Sequence, residues 1–189
     1  LNIYGVSYGS RVAQTYLRTY PQHVRTVILD GVLPQDEALG VSVASDAQKT
    51  LDAVFARCAA DADCNEAFPD LPDALAVLMA RVAKEPVMVE LQHPYTSKAT
   101  EVEFTQSKLG MAIRLLSYGS ETAALLPLLI HDAHKTGDLS RLAAQWMIVY
   151  EQLQGSVNAA LNHSVVCAED VPFLRQEGKF IGNAQAEKS

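Results

Sequence analysis

Gly5-Val6-Ser7-Tyr8-Gly9 joins a short apolar run, Ile3 and Tyr4, to a helical pattern that begins at once. A serine held on so tight a turn between strand and helix projects its hydroxyl clear of the sheet, within reach of substrate and of a histidine base. The matching chemistry is acyl transfer. The hydroxyl attacks a carbonyl carbon, and the backbone N–H of Tyr8, one residue past the nucleophile, donates to the oxyanion that forms. The start of the following helix adds partial positive charge at the same point. Gly5 and Gly9 lack the side chains that would collide with neighbouring backbone in this nucleophile elbow. The competing reading is a glycine-rich turn whose serine only caps a helix. The flanking sequence favours the elbow.

Val12, Ala13, Tyr16, Leu17 and Tyr20 recur at helical spacing, Pro21 ends the helix, and Val24 to Leu29 reads as a second buried strand. Strand, turn, helix and strand within about thirty residues make a crossover unit of a parallel sheet. Asp30-Gly31-Val32-Leu33-Pro34 then turns at the strand's carboxyl end, the edge where open parallel sheets bind ligands.

From Gln35 to Leu161 the pattern is mainly helical. Helices are expected over Ser42 to Ala60, Ala74 to Lys84, Gln106 to Tyr118, Ser120 to about Thr136, and Leu139 to Leu153. Thr105 and Asp138 are expected N-caps and Gly137 a stop. Leu142, Trp146, Val149 and Leu153 form a stripe read as core packing. Val87 to Leu91 and Glu101 to Phe104 read as a β-pair joined by a turn-rich segment. Ser164-Val-Val-Cys167 reads as a strand returning to the sheet, and the tail from Gln176 to Ser189 is polar without periodicity. The expected fold class is therefore α/β. Residues 1–34 form a piece of sheet core, 35–161 a helical cap or lid over the serine, and 162–189 a return toward the core.

The 189 residues carry a formal net charge of −7, and 49% are hydrophobic. That balance permits a buried core and disfavours nucleic acid and anionic membranes as partners, with no basic cluster to argue otherwise. No stretch has the length of a membrane span, and none reads as a secretory signal. No cofactor motif and no metal-type ligand set is present. Cys58 and Cys64 bracket five residues, too many for a CxxC redox motif. A local disulfide and an oxidising compartment are favoured over a reduced pair at a helix end. Cys167 is left over.

Gly5-Val-Ser-Tyr-Gly-Ser10, Val24 to Val32, Leu109 to Tyr118, Thr136 to Leu142 and Ser164-Val-Val-Cys-Ala-Glu-Asp170 together resemble the α/β-hydrolase peptidases of the prolyl aminopeptidase and tripeptidyl aminopeptidase family. The resemblance implies a partial α/β-hydrolase fold with a helical cap, and a secreted, periplasmic or envelope-bound serine hydrolase that releases short units from peptide N-termini. It implies Ser7 as nucleophile and the Tyr8 N–H as an oxyanion donor. In that family the order is Ser, then Asp or Glu, then His, with one oxyanion loop upstream of the elbow. This chain departs from that order and has the look of an internal piece, so little turnover and marginal stability are expected of it alone.

Five histidines are available, His23, His93, His131, His134 and His163, and none sits where the family's base is expected. His131 and His134 have metal-pair spacing without a third ligand and read as surface or interhelical residues. Asp30 occupies a place some lipases use for the acid, and reads more simply as a turn aspartate. Glu169 and Asp170 either face the pocket and bind a substrate's terminal ammonium, or serve as a solvent-facing residue and a helix cap. Cys167 either bonds elsewhere or is a buried thiol. Short peptides are the expected substrate. An ester hydrolase of the same fold and a non-catalytic interaction protein are the alternatives, and oligomeric state is open.

Overall fold

The computed structural model describes residues 1–40, 42–176 and 179–180. Gly178 and the rest of the expected polar tail, 181–189, lie outside the described residues. The architecture is mixed α/β, mainly helical with small sheets.

The chain begins with β1 (Asn2–Val6), α1 (Tyr8–Thr19) and β2 (Thr26–Asp30). The two strands pair in parallel, Ile3 opposite Val27 and Val6 opposite Asp30, as the crossover pattern predicts. Pro21 opens a short 3-10 turn directly after α1, because proline has no N–H with which to continue the helix.

The helical section comprises α2 (Val43–Ala60), α3 (Ala62–Ala67) and α4 (Leu71–Lys84), then the antiparallel hairpin of β3 (Val87–Gln92) and β4 (Ala99–Phe104). It continues with α5 (Gln106–Leu116), α6 (Ser120–Ala123), α7 (Leu126–Thr136), α8 (Ser140–Ser156) and α9 (Ala159–Glu169). A 3-10 turn (Val171–Leu174) and a minimal hairpin, β5 (Arg175–Gln176) with β6 (Lys179–Phe180), follow.

Local sequence explains most boundaries. Thr105 Oγ1 accepts the Lys108 N–H at the head of α5, and Gly137 ends α7 in the left-handed region at φ 75°. Asp138 Oδ1 accepts the Ser140 N–H at 2.8 Å where α8 starts. The helix expected over 120–136 is split into α6 and α7. Pro127 sits in the first turn of α7, where a missing N–H is harmless, and a continuous helix through it would meet its ring.

One expectation needs correction. Ser164 to Cys167 lie inside α9, not in a strand. Asn158 accepts the Leu161 N–H and starts a helix there, and the two valines' preference for strands is too weak to resist it. The buried positions of α1 are Ser10, Arg11 and Ala13. Of the residues at helical spacing, Ala13 is buried, whereas Val12, Leu17 and Tyr20 are exposed.

The hydrophobic core belongs to the helical section. Phe55, Leu78, Phe104, Leu109, Ile130 and Leu142 anchor it, and Trp146 packs at its margin. Of the α8 stripe, Leu142 is buried whereas Leu153 is exposed. Cys58 and Cys64 form the disulfide, with Cα atoms 5.2 Å apart, tying α2 to α3 beside that core. The β1–α1–β2 unit adds nothing to this cluster, and Tyr4 and Ile28, register partners on one face of the pair, are each 62% exposed. Polar contacts hold the unit to the rest.

Candidate functional site

Ser7 links β1 to α1 with φ 53° and ψ −122°. A non-glycine residue with positive φ outside the helical well is strained and needs outside support. The support is visible. The Ser7 N–H donates to the Asp30 carbonyl at 2.9 Å, and the Ser7 carbonyl accepts the Ser10 N–H at 2.9 Å and the Ser10 hydroxyl at 2.6 Å. The Ser7 side chain makes no capping hydrogen bond to α1 and is exposed.

Gly5 is required sterically. A Cβ there would lie 2.4 Å from the Gly9 carbonyl oxygen and 3.0 Å from the Ala13 Cβ. Gly9 is not required in that sense, because a Cβ on it would meet open space. The steric argument thus holds for one glycine of the pair.

Tyr8 is the first residue of α1, so its N–H has no carbonyl one turn earlier to bond. Its hydroxyl donates to Glu169 Oε1 at 2.7 Å. That bond to a carboxylate, then burial, pushes the phenol's pKa up from its ordinary value. Glu169 itself is partly open to solvent. With Tyr8, Arg11, Tyr16 and Phe173 it lines a cavity of about 530 Å³ along α1.

Arg11 is the polar hub beneath this site. Nε donates to the Pro34 carbonyl at 3.0 Å, Nη2 to the Glu37 carbonyl, and Nη1 to Asp170 Oδ1 at 3.1 Å. Asp170 Oδ1 also accepts the Leu39 N–H at 3.0 Å. One guanidinium therefore fastens the 34–39 strap and the end of α9 to the first turn of α1. Asp170 is 0% exposed, and its Oδ2 has no hydrogen-bond partner among the described residues. Glu169 lines the cavity, half open to solvent and 3.9 Å from Arg11 Nη1, while Asp170 is withdrawn from it.

The side chains of the remaining candidates are engaged with other partners or exposed. The Asp30 carboxylate accepts the Tyr4 hydroxyl at 2.7 Å, which raises the pKa of that phenol. His23 stacks on Tyr20 at the far end of α1, His93 pairs with Glu151 at 2.8 Å, and His131 meets Phe68 edge-on. His134 and His163 are exposed on α7 and α9. None of these contacts involves Ser7. Cys167 is a free thiol and is exposed, not buried. Among the described residues no group of three or more His, Cys, Asp or Glu is placed to hold a metal ion, and no helix is long and apolar enough to cross a membrane.

Ser10 and Arg11 went unnoticed in the sequence as site residues. The available signal was polarity on an inward face: Ser10, Ala13 and Gln14 recur at helical spacing from the elbow, and two of the three are polar. The geometry offers an exposed hydroxyl on a supported, strained turn, an N–H at a helix start without a partner among the described residues, and a carboxylate hydrogen-bonded to the adjacent side chain. Comparison with protein-family models, curated proteins and solved structures gives no match.

Proposed function

We propose that this chain carries the nucleophile and the helical cap of a serine hydrolase of α/β-hydrolase type, acting on short peptides with a free N-terminus. The observation that carries the reading is Ser7 at φ 53° and ψ −122° between a parallel strand and a helix, outside the left-handed helical well and in the kind of strained backbone that clusters at active sites. Ser7 Oγ attacks the scissile carbonyl while its proton passes to a base. The tetrahedral oxyanion takes a hydrogen bond from the Tyr8 N–H, and collapse releases the amine and leaves an acyl-enzyme that water hydrolyses. Glu169, on the cavity beside Tyr8, receives the substrate's terminal ammonium as an opposite charge. Because the five histidines are engaged or placed elsewhere, the reading assigns the base to a group brought to Ser7 from beyond these contacts. The Cys58–Cys64 disulfide supports an oxidising, extracytoplasmic compartment.

The test is fluorophosphonate labelling with peptide mapping, with and without imidazole as an external base. An adduct confined to Ser7, accelerated by imidazole and absent from Ser7→Ala, supports the reading. An adduct equally formed in Ser7→Ala contradicts it. Protection of Ser7 from the label by unblocked peptides over simple esters separates the peptidase from an esterase, and Glu169→Gln should weaken protection by the unblocked peptides alone.

A further inference from the structure

The buried hydroxyl of Ser10 is tied to the same peptide unit that carries the oxyanion donor. Carbon and oxygen of Ser7 and nitrogen of Tyr8 share one planar peptide, and in a trans peptide the C=O and N–H point in opposite directions. Whatever fixes the Ser7 carbonyl therefore fixes the Tyr8 N–H. That carbonyl accepts two hydrogen bonds from Ser10, the backbone N–H at 2.9 Å and the side-chain hydroxyl at 2.6 Å. Helix formation explains the first. The second is a separate device.

Ser10 is 0% exposed, so its hydroxyl does not exchange this bond for water. It also accepts the Leu33 N–H at 2.9 Å, which fixes the hydroxyl proton toward Ser7. Gln14 Nε2 closes the arrangement by donating to the Ser10 carbonyl at 3.1 Å and the Leu33 carbonyl at 3.0 Å. The loop after β2 thus braces Ser10, and Ser10 braces the Ser7–Tyr8 peptide from inside the molecule. A hydrogen bond accepted by a peptide carbonyl also polarises its own N–H and strengthens that group as a donor.

We infer that Ser10 is a positioning residue for acyl transfer, orienting and polarising the Ser7–Tyr8 peptide so that the Tyr8 N–H meets the oxyanion. The inference rests on Ser7 being the nucleophile, and it extends that reading to a residue that touches no substrate. A misaligned donor weakens transition-state binding more than ground-state binding, so the loss should fall on kcat and leave KM nearly unchanged.

The experiment compares the wild-type chain, Ser10→Ala and Ser10→Thr by two readouts. The first is isotope-edited NMR of the Ser7 carbonyl carbon and the Tyr8 amide nitrogen, both sensitive to hydrogen bonding at that carbonyl. Ser10→Ala should shift both upfield, and Ser10→Thr, which keeps a hydroxyl, should restore them. A hydroxyl that only stabilised the Leu33 loop would move the Leu33 amide and leave these two in place, and that result would overturn the inference. The second readout is the rate of fluorophosphonate labelling at Ser7 with imidazole present. Ser10→Ala should lower it by about 10- to 100-fold, as small misplacements of reacting groups do, with recovery in Ser10→Thr. Equal labelling of wild type and Ser10→Ala would also overturn it. Failure of the wild type to label, with the NMR shifts as stated, would sink the hydrolase reading while leaving the role of Ser10 in the peptide intact. If Ser10→Ala does not fold, Ser10→Cys, similar in volume and a weak donor, takes its place with the same expected direction.

Discussion

Asp170 Oδ1 accepts Arg11 Nη1 at 3.1 Å although 159 positions separate the two residues. Both side chains are almost wholly out of water, at 7% and 1% exposure. The pair fastens the end of α9 to the first turn of α1, one turn from Ser7. Breaking a buried pair from one side leaves an uncompensated charge. Asp170→Ala should therefore cost about 3–5 kcal/mol, measured by denaturant unfolding. Asp170→Asn, which keeps an acceptor for the Leu39 N–H, should cost less. Equal and negligible effects of both would show that the pair does not hold the unit in place.

Among the described residues the β1–α1–β2 unit contributes to no hydrophobic cluster, and its side chains Tyr4 and Ile28 face solvent. Amide hydrogen exchange should therefore find β1, α1 and β2 opening at lower free energy than α4, α5 and α7, which form the core. Asp170→Ala should widen that gap. Uniform protection across the chain would contradict the polar-clasp account.

The two glycines of the elbow should behave differently. Gly5→Ala places a Cβ 2.4 Å from the Gly9 carbonyl oxygen, an overlap that forces backbone movement and should cost more than about 3 kcal/mol. Gly9→Ala meets open space inside α1 and should be neutral or stabilise by up to about 1 kcal/mol through helix propensity. Thermal unfolding of the two variants reads this directly. Similar losses in both would show that the turn has tighter limits than the backbone geometry implies.

Tyr8 links the elbow to Glu169 only while its phenol keeps its proton. Hydrogen bonding to Glu169 sets the folded-state pKa above the ordinary value of 10.0. The sign follows from linkage: a raised folded pKa contributes stability that is fully present below the unfolded value and is lost as pH rises through the folded one. The stability difference between the wild type and Tyr8→Phe should thus hold from neutral pH to about pH 10 and fall away above it. A difference that stayed the same well above pH 10 would contradict the Tyr8–Glu169 bond.

How far the sequence foretold this structure depended on whether the determining contacts were local. The β1–Ser7–α1–β2 unit, the Thr105 cap and the Gly137 stop depend on neighbours within a few residues, and each could be read from residue type and spacing. The hairpin of β3 and β4 was equally plain from its alternating runs and turn. Ser164-Val-Val-Cys167 misled because β-branched residues state a preference that a capped helix overrides. The buried face of α1 was not legible for a different reason. Its buried residues are Ser10 and Arg11, whose partners at Leu33, Pro34, Glu37 and Asp170 are distant in sequence, and apolar spacing carries no trace of them. Asp170 lies buried 3.1 Å from Arg11 Nη1, whereas Glu169, 3.9 Å from the same nitrogen, reaches the cavity.

The central claim is that Ser7 is a nucleophile, and active-site labelling tests it most directly. A fluorophosphonate probe, with imidazole supplied, should modify this chain at Ser7 and nowhere else, and Ser7→Ala should remain unmodified. Absence of any Ser7 adduct in folded protein, or the same adduct pattern in Ser7→Ala, would contradict the account.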